Sequence, residues 1–310
     1  MIWAIVLKKR RAVASIRVCS CNGLLYGFLM RLRLMKKADV PGGLRLNTVA
    51  GWNQTEADWN RFLDGSPEGC FVMEDGRNVV GTAATLSYET RFAWISMVLV
   101  DPAYRNRGIG TKLLQRAVEY LDDAGIPTLK LDATPLGAQL YEEMGFVAEY
   151  EIERWALKRA DSSDLTASAT SHRVVQLAEI FQLDREVFGA DRSHLLRSLD
   201  ERATDLTLAV RSGEHLQGYA FGRHGLFADH LGPWIGRDGD TAESLLEQCL
   251  RRSSRDTIIV DALKSSNVAG QILHRHGFSV ARQLTRMYRG ANAFPGRTDL
   301  LCAIVGPEFG

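Results

Sequence analysis

The chain has no excess of charge of either sign: 38 Lys and Arg stand against 37 Asp and Glu, a formal net charge of +1 over 310 residues. A whole-molecule field that would hold a nucleic-acid backbone or an anionic membrane is therefore missing, and any basic site has to be local. Apolar runs are short. Residues 1–7 and 23–30 fall well below the ~20 residues that cross a bilayer, and the basic run Lys8–Arg11 follows the first of them, the reverse of a secretory signal. Cysteine is sparse and scattered: Cys19, Cys21, Cys70, Cys249 and Cys302 form no C-x-x-C pair, which excludes a disulfide framework and suits free thiols in a reducing cytosol. The seven histidines show no ligand spacing, so no metal is expected, and His224 and His230, flanking a predicted loop, read as exposed polar residues.

With 45% hydrophobic residues over this length the chain can bury one large core or two moderate ones, and two fit better. The densest chemical signal is at residues 95–114. The apolar run Ile95–Val100 ends at Asp101-Pro102, and the turn Arg105-Asn106-Arg107-Gly108-Ile109-Gly110-Thr111 leads into Leu113, Leu114, Ala117, Val118 and Leu121 at helical spacing. Strand, glycine turn and helix N-terminus, in that order, suit an anionic ligand. Glycines let backbone approach it, and the unpaired N–H groups of the first helical turn point at it. Arg105, Arg107 and Lys112 add positive charge. The turn lacks the third glycine of a dinucleotide fingerprint, Leu113 standing there, and has no Gly-Lys-Ser/Thr of a nucleotide-triphosphate loop.

The pattern Arg-x-x-Gly-x-Gly after a strand resembles motif A of the GNAT superfamily of N-acetyltransferases. A second signature supports the likeness: after the apolar run Thr128–Ala133, the segment Leu140-Tyr141-Glu142-Glu143-Met144-Gly145-Phe146 matches the family's Leu-Tyr-x-x-x-Gly-Phe. The resemblance implies that Arg105, Asn106, Arg107, Gly108, Ile109, Gly110 and Thr111 hold the pyrophosphate of acetyl-CoA. It also implies that backbone groups of Met97, Val98, Leu99 and Val100 meet the pantetheine arm and the thioester carbonyl, and that the Tyr141 hydroxyl protonates the departing sulfur. The general base is not visible. Ile95, Ser96 and Met97 offer no carboxylate where many relatives carry a glutamate, which leaves Ser96 or Glu89 acting through water. Trp52, beside Gly51 and ahead of the helix start at Thr55, is the candidate acceptor-pocket wall, whereas Trp59, in helical register with Phe62 and Leu63, reads as core.

Beyond Leu157 the polar stretch Lys158–Ser168 has linker composition. The remainder repeats the first half weakly. Leu245-Leu246 takes the place of Leu113-Leu114, Asp261-Ala262 that of Asp132-Ala133, and Gly277-Phe278 that of Gly145-Phe146. Ungapped, Asp240 and Ala242 fall where Gly108 and Gly110 stand, and Leu273 replaces Tyr141, so this half should keep the fold and lose the donor site. Its Gly218–Arg223 and Leu231-Gly232-Pro233 resemble the C-terminal domain of tandem GNAT proteins. The expected fold is α/β (α+β): two tandem GNAT-like domains, each a mixed, mostly antiparallel sheet flanked by helices. The expected layout is an extension outside the fold at 1–30, a catalytic domain at 31–158, a linker at 159–170 and a degenerate domain at 171–310. The expected activity is transfer of acetyl from acetyl-CoA to a primary amine of a small molecule, in a cytoplasmic monomer or homodimer without nucleic-acid or membrane partners. A non-catalytic acyl-CoA sensor and a protein-amine acetyltransferase are the alternatives.

Overall fold

The computed structural model describes residues 30–159 and 176–310; almost all of the expected extension and linker lie outside them. The first half runs β1 (Arg31–Leu34), α1 (Val40–Ala50), α2 (Glu56–Gly65), β2 (Cys70–Asp75), β3 (Asn78–Tyr88), β4 (Phe92–Val100), α3 (Ile109–Asp123), β5 (Thr128–Ala133), α4 (Pro135–Glu143) and β6 (Val147–Lys158). The second half, as described, repeats that order from α1 onward as α5 (Leu177–Phe188), α6 (Ser193–Arg202), β7 (Leu208–Ser212), β8 (His215–His224), β9 (Asp229–Gly236), α7 (Gly239–Arg252), β10 (Thr257–Leu263), α8 (Asn267–Arg275) and β11 (Ser279–Gly290), and adds a short β12 (Leu301–Ala303).

Local chemistry explains the elements that frame the site. In α3 the buried residues Ile109, Leu113, Leu114, Ala117, Val118 and Leu121 make one stripe that packs on the sheet. Strand β4 is almost wholly apolar because it is covered on both faces, by α3 on one side and by the α1–α2 layer on the other. Helix α1 stops at Gly51, whose φ of 67° puts it in the left-handed region. Helix α2 starts with a capping box in which the Thr55 N–H and Oγ donate to Asp58 Oδ2 at 2.7 and 2.9 Å.

The twelve strands of the described residues form one sheet in the order β1-β2-β3-β4-β5-β11-β6-β10-β12-β9-β8-β7. At its centre the halves interleave. Strand β11 pairs antiparallel with both β5 and β6, and β6 pairs antiparallel with both β11 and β10. Strands β5 and β6 of the first half are thus separated by β11, and β10 and β11 of the second half by β6. One apolar cluster also spans the halves, with α1 and α2 residues such as Trp59 and Phe62 beside Leu195 and Leu199 of α6 and Phe309.

Asn53 ties the halves at the rim. Its Oδ1 accepts from the Phe227 and Ala228 N–H groups at 2.9 and 3.0 Å, and its Nδ2 donates to the Ala228 carbonyl at 3.0 Å. Asn53→Ala strands buried donors and is expected to cost about 2 kcal/mol, read as a lower denaturant midpoint at unchanged slope.

Candidate active site

Strands β4 and β5 run parallel but are paired only at Ala93 with Leu129 and Trp94 with Lys130. Beyond Trp94 they splay, which leaves the β5-facing edge of Ile95–Val100 without a ladder partner. Met97 sharpens the opening. It has a φ of 54° at a register irregularity in the β3–β4 ladder, and its carbonyl accepts from Thr82 Oγ1 at 2.7 Å. Val98, Leu99 and Val100 therefore lie along an unpaired edge.

That edge leads to residues 101–108 and the α3 N-terminus. Asp101 starts a short turn by accepting from the Ala103 N–H at 3.0 Å, and Tyr104 is anchored by its hydroxyl to Asp75 Oδ2 at 2.8 Å. Asn106 and Gly108 both adopt left-handed φ, 60° and 72°. Gly108 caps α3 without a side-chain hydrogen bond, and Lys112 N–H is bonded to its carbonyl, so the N–H groups of Ile109, Gly110 and Thr111 have no partner within the helix. Nothing lies within 4 Å of a Cβ built on Gly108. Arg105 and Arg107 are exposed beside this end.

One cavity fills the splay. Its walls include Trp52, Gln54, Ser96, Met97, Val98, Asp132, Tyr141, Arg282 and Glu308. Trp52, Ser96 and Tyr141 are thus brought together, while Trp59 is fully buried in the core. Burial pushes the Tyr141 hydroxyl up to about 12, so it remains a donor at neutral pH. Glu89 is not there. It lies at the β3–β4 turn, paired with Arg91 and Arg185 at 3.0 and 2.6 Å, because the strand directions carry that turn to the opposite end of β4.

The second half supplies two charged wall residues that no motif marks, Arg282 of β11 and Glu308, beside Leu284 and Pro307. Asp132, also in the wall, is fully engaged: Arg286 Nε and Nη2 donate to its two oxygens at 2.8 and 2.9 Å. Glu308 is held differently. Its Oε1 accepts from Arg223 Nη2, while its buried Oε2 has no hydrogen-bond partner among the described residues. Arg223 also donates to Asp58 Oδ1 at 2.9 Å and meets His230 Nδ1 at 2.8 Å.

His230 corrects the reading of an exposed residue: it is buried on β9. A guanidinium can only donate, so Nδ1 accepts and the ring proton sits on Nε2, 3.0 Å from Asp261 Oδ2. Burial, and then the charge of Arg223, depress the His230 pKa and keep the ring neutral. Asp261 in turn takes a bidentate pair from Arg154 at 2.7 and 2.6 Å. Burial alone would raise its pKa, but Arg154 and His230 hold it well below the usual carboxylate range.

Among the described residues the second half has no equivalent opening. Strands β9 and β10 pair from Asp229 to Leu231, and where they would splay, β12 enters and pairs with both. Only Arg237 and Asp238 connect β9 to α7, against residues 101–108 in the first half. The comparison with Asp240 and Ala242 needs correcting: α7 starts two residues earlier relative to its buried Leu245-Leu246, and its cap is Asp238, which accepts from the Thr241 N–H at 2.7 Å. Its helix end is filled by its own carboxylate. Leu273 is buried in the core.

Comparisons with known proteins find a GNAT match in each half. The family model described as "Acetyltransferase (GNAT) family" matches residues 45–146, and that described as "Acetyltransferase (GNAT) domain" matches residues 180–303. Holothin acyltransferase of a Pseudoalteromonas strain is 24% identical over 265 residues, covering 84% of this chain and 87% of its own. Among solved structures, a putative acetyltransferase from Pyrococcus horikoshii superposes with a TM-score of 0.75 at 20% identity, over 94% of this chain and 99% of its own. A tandem GNAT protein from the clavulanic acid biosynthesis pathway gives 0.61 at 16% identity, over 84% of this chain and 98% of its own. At these identities the structural likenesses show the fold.

Proposed function

The chain belongs to the GNAT acetyltransferase family, with two such domains in tandem, and from that premise we propose that its first half alone carries acyl transfer, from acetyl-CoA to a primary amine of a small molecule. The observation that carries this reading is the β4 edge, open beyond Trp94 and continuous with an uncapped α3 N-terminus. The acyl-CoA diphosphate suits the N–H groups from Gly108 to Thr111, with Arg105, Asn106 and Arg107 beside them. The pantetheine arm suits the β5-facing edge of Val98–Val100, and a backbone N–H near Met97 can polarise the thioester carbonyl. Tyr141 supplies the proton to sulfur.

The second half lacks the opening and the free helix end, which supports a scaffolding and pocket-closing part for it. A pure sensor reading is weakened, because it drew on the missing carboxylate and Glu308 brings one to the cavity. The resemblance to an acyltransferase named for holothin supports a discrete acceptor molecule over a polypeptide.

Titration calorimetry with acetyl-CoA, followed by a thiol-release assay over an amine panel, tests the proposal. One acetyl-CoA per chain and turnover with a small amine are expected; no uptake would overturn it. Gly108→Val forces a branched residue into left-handed backbone and is expected to cost about 1–2 kcal/mol of stability. The added methyls stand over the helix end, so acetyl-CoA affinity is expected to fall at least about tenfold, by the loss of roughly one charge-assisted hydrogen bond.

A further inference from the structure

Four polar atoms in the walls of the splay cavity are buried without a hydrogen-bond partner among the described residues: Gln54 Oε1, Ser96 Oγ, Arg282 Nε and Glu308 Oε2. Buried polar groups are ordinarily paired, and a set of orphans on residues that line one cavity marks where a ligand could complete them. Their chemistry divides by sign. Glu308 and the Gln54 oxygen accept only, Ser96 does either, and the Arg282 guanidinium donates only. We propose that these residues form the acceptor subsite and that the acceptor is an aminocarboxylate, its amine received by Glu308 and its carboxylate by Arg282. This rests on the acyltransferase reading above and goes further in naming the acceptor class.

The two charges share the cavity without forming an ion pair with each other, and Arg282 has no carboxylate within ion-pair distance among the described residues. Burial, and then the neighbouring Arg154, push its guanidinium down to about 10, although Asp261 and Glu308 favour its charge. An incoming carboxylate would relieve that cost. The charge balance selects the acceptor. Asp132 is paired with its bidentate Arg286 and Glu308 Oε1 with Arg223, so the wall offers one unpaired cation, Arg282, and one unpartnered acceptor, Glu308 Oε2. A carboxylate compensates the first and an amine N–H meets the second, whereas a polyamine brings further cations and no anion for Arg282.

Glu308 is also rigidly aimed. Trp94 Nε1 donates to the Pro307 carbonyl at 3.0 Å, Tyr88 donates to the Phe309 carbonyl at 2.6 Å, and the Phe309 ring stacks on Phe62 with centroids 4.9 Å apart. In the reaction the ammonium first loses a proton to water. The nitrogen then forms its bond to the thioester carbon and sheds a second proton to Glu308 Oε2. The C–S bond breaks with its electron pair on sulfur, which takes a proton from Tyr141. Both side chains re-equilibrate with solvent, so amine and acyl-CoA give amide and CoA thiol.

The test measures CoA release from acetyl-CoA with amino acids of varied chain length, their methyl esters and amides, alkylamines and polyamines. Carboxylate forms are expected to exceed their esters at least about tenfold in kcat/KM, the worth of one charged hydrogen bond. Arg282→Gln is expected to erase that preference through KM with acetyl-CoA affinity unchanged. Glu308→Gln is expected to lower kcat by about 10²-fold or more with acetyl-CoA affinity unchanged, a split that a merely structural role would not produce. Equal use of esters or polyamines would overturn the acceptor assignment and leave acyl transfer standing. Bound acetyl-CoA without turnover of any amine would overturn both.

Discussion

Cut between Arg159 and Gln176 and produced separately, neither half is expected to unfold cooperatively, whereas the two produced together are expected to copurify and recover acetyl-CoA binding. The centre of the sheet dictates this. Strand β11 is paired along β5 from Ala133 to Thr128 and along β6 from Ala156 to Val147, so a first half made alone keeps β5 and β6 with the seat between them empty. Both facing edges then lack partners, and Leu284 and Met287, buried in two of the cores, are lost with β11. Unpaired buried edges recruit other chains. A domain stable by only about 5–15 kcal/mol does not survive the loss of a central strand. The symmetric loss falls on the second half, whose β10 is paired with β6 from Thr257 to Leu263. Calorimetry and size-exclusion chromatography check this. A monodisperse first half with a sharp transition and undiminished acetyl-CoA affinity would refute it.

That interleaving is what the sequence could not express. Side-chain periodicity reports which face of an element is buried, and so α3, the 105–111 turn and the Leu140–Phe146 segment are readable residue by residue. Which strand neighbours which is a long-range choice. Strand β6 has the same alternation whether it closes its own half or joins β10. The plug β12 is harder still, since Leu301–Ala303 is three residues long and finds its place only because β9 and β10 diverge. The expected loss of a second donor site rested on an acid near a helix start; the acid at that helix end is Asp238, and the short β9–α7 connection was not foreseen. Glu308 carried no signal at all. It sits in a non-repetitive segment, and its place in the first half's cavity follows from Arg223, Trp94 and Tyr88 holding that segment. His230 was misread for a related reason: a neutral imidazole between a guanidinium and a carboxylate has the same sequence surroundings as one at a surface.

Tyr141→Phe is expected to lower kcat roughly 10²- to 10³-fold while leaving acetyl-CoA affinity and thermal stability unchanged. Two readings of Tyr141 compete, a proton donor and a core aromatic, and the structure makes them separable. The ring packs edge-on against Phe146 with centroids 6.2 Å apart, a contact that phenylalanine preserves. Burial is the sole influence resolved on the hydroxyl, with no hydrogen bond or charge acting on it, so its removal strands no partner. A packing role therefore survives the substitution and a proton-donating role does not. The magnitude has an upper bound, because a thiol with a pKa of about 8.5 leaves tolerably unaided. The pH profile gives a second check. With its pKa raised to about 12, Tyr141 stays protonated across the alkaline range, so the wild-type rate is expected to show no falling limb from this group below about pH 10. An unchanged rate in Tyr141→Phe would assign the proton to water. A lost thermal transition would return the ring to the core, where Leu273 stands in the second half.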